Sequence, residues 1–299
     1  MLIYVMGRGF SGSTILDIAL SQSVGVCGMG ELISGFRKTK ICACGKYAKD
    51  CKHWENLHSG SMKVDSDDLA YIKQQSNIKY FFKYYFCSDK KFEEFSTKYM
   101  SINESILQAR KKGDDCSVLI DSSKEITRGL ILSRSNEDVV IIHLIKNPIN
   151  VISSYLKRVE SGEGFRFLRK KYNSKTFRLF PLFISSLGWL MGNLLCEAIK
   201  HRTEKKVITI RYEDLSKNPD LIVSKIEKAT KNGFQQTKIF LKGEISAKNL
   251  HQLGGNKVKR EKDIIFVKQK IKYEKSRLKR IENIIAMAII FPLKKYYGY

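Results

Sequence analysis

Leu2-Ile3-Tyr4-Val5-Met6-Gly7-Arg8-Gly9-Phe10-Ser11-Gly12-Ser13-Thr14 places five apolar residues ahead of a glycine-rich turn. Behind it, Ile15-Leu16-Asp17-Ile18-Ala19-Leu20 has the character of a helix. The apolar run reads as a buried strand. Strand, glycine loop and helix together form a cradle for an anion. The glycines let the backbone fold back, its N–H groups turn inward, and the helix start adds positive dipole.

Gly7, four residues, Gly12 and a hydroxyl at Thr14 come close to a Walker A spacing, but Ser13 stands where the lysine would be. That lysine reaches the β- and γ-phosphates of a nucleoside triphosphate. Its loss, with no evident aspartate for magnesium, argues against ATP hydrolysis and for a single phosphate carrying a small transferable group. A glycine turn without a ligand is the plain alternative, and the place of the loop between first strand and first helix argues against it.

The 299 residues can bury a substantial core, and 43% hydrophobic content is ordinary. The net charge of +24 calls for acidic partners: nucleic acid, an anionic membrane or a polyanionic ligand. With no aromatic RNA-binding signature, zinc-finger spacing or basic recognition helix, nucleic acid is excluded. The strand beginning at Leu2 leaves no room for a basic leader, and seven cysteines, an odd number, argue against a secreted disulfide scaffold, so a cytoplasmic protein is expected.

Further short apolar runs recur along the chain. Core strands are expected near 2–6, 24–27, 118–120, 139–145 and 207–210, with helical insertions at about 40–115 and 160–205, all in one domain spanning 1–299. Strands alternating with helices imply an α/β fold, a three-layer sandwich with a central parallel sheet of P-loop-like layout. Glu31 follows a strand and two glycines, where ligands gather in open α/β sheets, although a glutamate at a helix start would look the same. Asp121-Ser122-Ser123-Lys124 and Lys146-Asn147-Pro148 also lie at strand exits. Lys146 and Ser154, two turns into the next helix, could share an anion. His143, inside its strand, reads as a satisfied core histidine.

Cys42-Ala43-Cys44-Gly45, Cys51, His53 and Trp54 supply soft ligands, but the Cys-x-Cys spacing is tight and no second knuckle follows. A disulfide or packed loop is expected there, with no metal and little zinc in the purified protein. The aromatic run Tyr80-Phe81-Phe82-Lys83-Tyr84-Tyr85-Phe86 reads as core within inserted helices. Leu179–Cys196 carries no charge and has basic flanks at Arg166, Arg169, Lys170, Lys171, Lys175 and Arg178. Its glycines, serines and proline favour a buried or membrane-surface helix over a span.

Taken together these motifs resemble the sulfotransferases that use 3′-phosphoadenosine 5′-phosphosulfate, in particular a bacterial group related in layout to protein-tyrosine and carbohydrate sulfotransferases. The resemblance runs over nearly the whole chain. It implies that the loop, Gly9, Phe10, Ser11, Gly12, Ser13 and Thr14, holds the 5′-phosphosulfate, and that Lys146 and Ser154 take the 3′-phosphate. Tyr212, in Arg211-Tyr212-Glu213-Asp214-Leu215, would lie near the adenine. The turn His251, Gly255, Asn256 and Lys257 would face the same co-substrate. Glu31 would be the general base, with His251 the lesser alternative, and Arg8 or Lys124 would neutralise charge on the bridging oxygen.

Two positions depart from the family pattern: Phe10 replaces a basic residue common before Ser-Gly, and Lys146-Asn147 replaces Arg-Asp, losing a bidentate fork. The implied reaction moves a sulfuryl group to a hydroxyl or amine acceptor, a glycan or lipid-linked glycan, without a metal. Peripheral contact with the inner face of an anionic membrane would accompany it. A nucleotide or small-molecule kinase with a degenerate loop, and a catalytically inactive binding homologue, are the rival readings.

Overall fold

The computed structural model describes residues 1–35, 40–59, 64–113, 116–161, 178–203, 207–247, 250–261, 264–266 and 278–299. Five parallel strands form one sheet: β1 (Leu2–Gly7), β2 (Val26–Gly30), β3 (Val118–Lys124), β4 (Val139–Ile145) and β5 (Val207–Arg211), ordered β2-β3-β1-β4-β5. β1 lies at the centre and is buried throughout, as a strand covered on both faces must be.

Side-chain alternation in β1 divides the core into two layers. Leu2, Tyr4 and Met6 pack with Tyr99, Ile106 and Leu130, under the helices Asp89–Gly113 and Ile126–Arg134. Ile3 and Val5 pack with Leu16, Ile142, Ile226 and Phe240, under α1 (Ser13–Leu20) and the helices Pro219–Thr230 and Gln235–Leu241. The result is the expected α/β three-layer sandwich.

Two strand boundaries differ from the sequence reading. β2 starts at Val26 rather than Val24, because Gly25 makes a turn at φ 71° that leaves Val24 in solvent. β3 does not stop at Ile120 but runs on through four polar residues to Lys124. Asp121, Ser122 and Ser123 stay buried because their bonds are met inside, and Lys124 is partly exposed. Asp121 pairs with Arg128 at 2.8 Å, and Arg128 also donates to Tyr99 Oη at 2.8 Å and Asn103 Oδ1 at 2.6 Å. Both charged side chains are fully buried.

A disulfide joins Cys27 of β2 to Cys116 at the entry to β3, with Cα atoms 5.9 Å apart. The odd cysteine count argued against such a scaffold. Pairing of adjacent parallel strands brings the two together across 89 residues. His143 is a core histidine as expected: it is buried, with Nε2 3.0 Å from Asn193 Oδ1 and Nδ1 3.4 Å from Glu197 Oε1. The aromatic insertion is only half core. Phe81 and Tyr84 are buried, whereas Phe82 and Phe86 face out.

The uncharged run lies within one helix, Leu179–Arg202, long and apolar enough to cross a bilayer by length and composition. One face, with Leu182, Trp189, Gly192 and Cys196, is buried against the helices Pro148–Glu160 and Arg280–Tyr296. The other exposes Phe180, Phe183, Ile184, Leu187, Met191 and Leu194. Of its expected basic flanks, Arg166, Arg169, Lys170, Lys171 and Lys175 lie outside the described residues.

Breaking the Asp121–Arg128 pair from one side strands a buried charge. Arg128→Met should therefore lower unfolding free energy by about 3–5 kcal/mol. Adding Asp121→Leu to that variant should recover part of the loss, measured by urea denaturation monitored by circular dichroism.

Candidate functional site

The loop after β1 turns at Gly12, where φ is 91° and Cβ would collide with the Tyr212 ring. Only glycine permits both that backbone and that contact. Phe10 also holds positive φ, at 68°, a conformation that non-glycine residues keep where the surroundings impose it. Behind the turn the carbonyl of Gly12 receives the first helical bonds, from Ile15 N–H at 3.0 Å and Leu16 N–H at 3.2 Å. Ser11 N–H donates to Arg8 O at 3.3 Å and is spent on the turn itself, which removes it from the 9–14 set expected to meet an anion. Ser11 is 2% exposed, and its hydroxyl has no hydrogen-bond partner among the described residues. A buried, unpartnered hydroxyl inside a glycine loop suits an anionic ligand oxygen.

Tyr212 closes one side of this loop. Its N–H donates to Ile145 O at 2.7 Å, which fixes it at the exits of β4 and β5, and Lys146 Nζ lies 4.3 Å from its ring centroid. Lys146, Tyr212 and Gly12 thus form one stack. The next residue, Asn147, caps the helix Pro148–Glu160 and donates its N–H to Glu213 Oε1 at 2.9 Å, while Tyr299 Oη donates to Glu213 Oε2 at 2.6 Å. Ser154 sits on that helix with its hydroxyl turned back to Asn150 O at 2.7 Å. Phe10 meets Tyr155 edge-on, ring centroids 6.5 Å apart, and Arg158 lies 5.8 Å over its ring. The aromatic residue at the position usually basic is therefore itself covered by a cation. Sequence reasoning passed over Arg158, whose signal was its place one turn beyond Ser154.

Arg8 leaves the loop along a groove in the helix Leu179–Arg202. A Cβ at Gly188 would lie 2.6 Å from its Nη2, and one at Gly192 would strike its Cδ. These two glycines, four apart on one helix face, make the channel. They looked like mere dilution of an apolar run.

Glu31 and Lys124 come together as an ion pair at the ends of β2 and β3. Lys124 holds φ 69°, so the end of β3 bends to bring its ammonium to that carboxylate. The carboxylate is placed by its neighbours: Glu31 N–H donates to Leu253 O at 2.8 Å, and Leu253 N–H to Met29 O at 2.9 Å. The turn that follows Leu253 lies over the loop. Asn256 N–H donates to Thr14 Oγ1 at 3.3 Å, and a Cβ on Gly255 would stand 3.1 Å from the same atom and 4.0 Å from Glu31 Cγ. Glu31, Lys124, Gly255 and Asn256 thus gather around Thr14. The Lys257 side chain lies outside the described residues.

His251 corrects the expectation. Its ring does not turn toward the loop: Nδ1 lies 3.5 Å from Cys51 Sγ and 3.9 Å from Cys42 Sγ, and the ring stacks on His53 with centroids 3.5 Å apart. Cys42, Cys44 and Cys51 are all free thiols, so of the two alternatives expected, a disulfide or a packed loop, no disulfide is formed.

Asp17 was unread in the sequence because it sits in an apolar helix. It is fully buried and accepts from Gly30 N–H at 3.0 Å, Ser122 Oγ at 2.7 Å and Gln252 Nε2 at 2.7 Å. Burial pushes its carboxyl up to about 6 against these donors, which favour the ionised form.

The chain matches no protein-family model and no curated protein. Among solved structures it is similar to a sulfotransferase domain from the curacin biosynthetic pathway, at 15% identity and TM-score 0.54, over 97% of this chain and 96% of that one. It is also similar to the sulfotransferase STF9 of Mycobacterium avium, at 10% identity and TM-score 0.53, over 99% of this chain and 76% of that one. A sulfotransferase domain from the Synechococcus olefin synthase aligns at 15% identity and TM-score 0.48, over 100% of this chain and 94% of that one. The fold is of the bacterial sulfotransferase type.

Because the folded-state value of Asp17 lies above the ordinary 3.8, its proton is held further up the pH scale in the folded chain than in the unfolded one. Its contribution is full below that ordinary value and is lost as the pH rises through about 6. Between pH 4 and 7 the native protein should therefore lose stability relative to Asp17→Asn by ~2–3 kcal/mol, read by urea denaturation of both proteins at each pH.

Proposed function

We propose that the protein, as one domain over residues 1–299, transfers a sulfuryl group from 3′-phosphoadenosine 5′-phosphosulfate to a hydroxyl-bearing acceptor. The observation that carries this reading is the convergence on one glycine loop of a buried unpartnered Ser11 hydroxyl, the Lys146–Tyr212 stack and the Glu31–Lys124 pair. The sulfotransferase-type fold supports it. The co-substrate fits these residues: Gly9, Phe10, Gly12, Ser13 and Thr14 with the Ser11 hydroxyl would hold its 5′-phosphate, Lys146 its 3′-phosphate, joined by Ser154 once its hydroxyl turns from Asn150 O, and Tyr212 its base. When bound it supplies an activated sulfuryl group on a phosphate leaving group.

The rest of the chemistry belongs to the chain. Lys124 offers a cation for charge that develops on the leaving oxygen, and Arg8, held in its glycine groove, adds positive potential at the loop. Glu31 takes the proton of the acceptor hydroxyl once Lys124 turns from it to the leaving group. Glu31 is thereby relieved of its counter-charge at the moment a base is needed, a gain of roughly 10²–10⁴-fold for general-base catalysis.

A kinase reading requires a cation at the Walker lysine position and a carboxylate for magnesium. Ser13 is buried at 2% exposure, and Asp121, inside β3, is committed to Arg128. Both observations favour the sulfuryl donor.

For the acceptor, a lipid-linked glycan in contact with an anionic membrane is supported by the helix Leu179–Arg202. Its buried face grips Arg8 while its outer face exposes Phe183, Leu187 and Met191, on a chain of net charge +24. Such a protein would act on the cytoplasmic side, docking as a peripheral protein.

Adenosine 3′,5′-bisphosphate should raise the melting temperature without magnesium, and AMP far less, with Lys146→Ala removing most of the difference. In transfer assays with radiolabelled donor and pooled glycan and lipid-glycan acceptors, Glu31→Gln should keep that thermal shift and lose at least ~100-fold in turnover. Magnesium-dependent ATP turnover would support the kinase reading instead. Vesicles rich in phosphatidylserine should retain the protein, and Phe183→Asp should weaken retention in co-sedimentation without lowering the melting temperature.

A further inference from the structure

Cys42, Cys44, Cys51 and His251 bring three thiol sulfurs and one imidazole nitrogen within 4.8 Å of one another. Cys42 and Cys51 sulfurs are 3.8 Å apart, Cys44 and Cys51 sulfurs 3.8 Å, and His251 Nδ1 lies 3.5 Å and 3.9 Å from Cys51 and Cys42. A tetrahedral zinc with Zn–S near 2.3 Å and Zn–N near 2.0–2.1 Å sets ligand–ligand edges of about 3.8 Å for S···S and about 3.5 Å for S···N. These four edges match such a tetrahedron, the remaining two lie within 4.8 Å, and the three cysteines are free thiols.

We propose that these four residues bind one structural zinc ion. The donor set, three soft thiolates and an imidazole, selects zinc over the oxygen-seeking magnesium and calcium. The surroundings are built for it. Residues 42–45 form a tight turn, with Gly45 N–H donating to Cys42 O at 3.0 Å, and Cys44 N–H and His53 N–H are directed at the sulfurs of Cys42 and Cys51. Trp54 Nε1 donates to His251 O at 2.6 Å and Ala43 N–H to Gln252 O at 3.0 Å, so the backbone of each half is already tied to the other. Arg110, 2% exposed, carries its guanidinium beside the cluster, where Cys42 and Cys51 act on its charge. Three thiolates around a divalent ion leave a net negative centre, which suits a guanidinium placed beside it.

A zinc here would run against the expectation of a cysteine loop with little zinc. It would clamp residues 42–54 to the segment that bridges β2 at Gly30 through Leu253 and then passes over Thr14 and Glu31. Its work is to hold the glycine turn at the edge of the sheet, independently of the reaction the loop serves.

The test is metal analysis of the full chain purified under reducing conditions from zinc-containing medium without chelator. One zinc per chain is expected. After exchange, cobalt(II) should give tetrahedral d–d bands and thiolate-to-cobalt charge transfer. His251→Ala should weaken zinc binding by at least ~100-fold, and His251→Cys should restore it with a shifted cobalt spectrum. If buried-ligand variants do not fold, Cys44→Ser, at the exposed ligand, gives the same reading. A trace of zinc together with no tetrahedral cobalt spectrum would overturn the proposal. So would zinc retained unchanged in the His251→Ala and Cys44→Ser variants, or a native disulfide between any two of the three cysteines.

Discussion

The carboxylate of Asp17 is the contact on which the geometry of the loop region depends. It gathers an N–H of β2, a hydroxyl of β3 and the amide of Gln252 around one buried atom pair in α1. Its burial leaves no water to replace a lost partner, so each of these bonds is expensive to leave unmade. The residues that matter follow directly from those it holds. Glu31 comes one residue after Gly30, and Gly255 and Asn256 come shortly after Gln252. Fixing Gly30 and Gln252 on one carboxylate therefore fixes Glu31 and the glycine turn relative to Thr14.

This arrangement explains how two distant parts of the chain meet without a long rigid element. The segment around Leu253 adds a single parallel bridge to the edge of β2, too short to hold itself there. Its stability comes from side bonds: Gln252 to Asp17, Lys259 Nζ to Gln252 O at 3.0 Å, and the His251 contacts with the cysteine turn. An edge pinned by polar bonds rather than by a ladder places the Glu31 carboxylate without lengthening the sheet. Gly28 serves the same end, since a Cβ there would stand where Asp17 and Gln252 now meet.

The strand–loop–helix opening and the order of later strands were legible because apolar runs and glycine spacing report backbone topology directly. Polar residues at strand exits were legible for the same reason, and Glu31, Lys124 and Lys146 all stand there. What the sequence concealed were contacts closed by the fold. Asp17 reads as a stray acid in an apolar helix until β2 and β3 surround it. Gly188 and Gly192 read as weak points in an apolar run until Arg8 lies along them. β3 looked short because Asp121-Ser122-Ser123 reads as a turn, whereas Arg128 and Asp17 satisfy those residues in place. His251 was misread because its ligand-like partners lie 200 residues earlier, beyond any spacing rule.

The distribution of positive charge around the loop bears on which phosphate ester it suits. In a Walker loop the cation rises from inside the turn and reaches the terminal phosphates of a triphosphate. Here the inside position is a buried serine, and the cations stand at the rim: Lys146 over Tyr212 at the exit of β4, Lys124 at the exit of β3, Arg158 over Phe10. A chain of phosphates calls for a cation inside the turn, whereas these three cations lie on three different elements around it. The proposed donor, with one phosphate in the loop and a second on the sugar toward Lys146, would suit that arrangement. In the proposed reaction Lys124 would remain for the transferred group, and its pairing with Glu31 would join the cation that stabilises departure to the base that prepares attack.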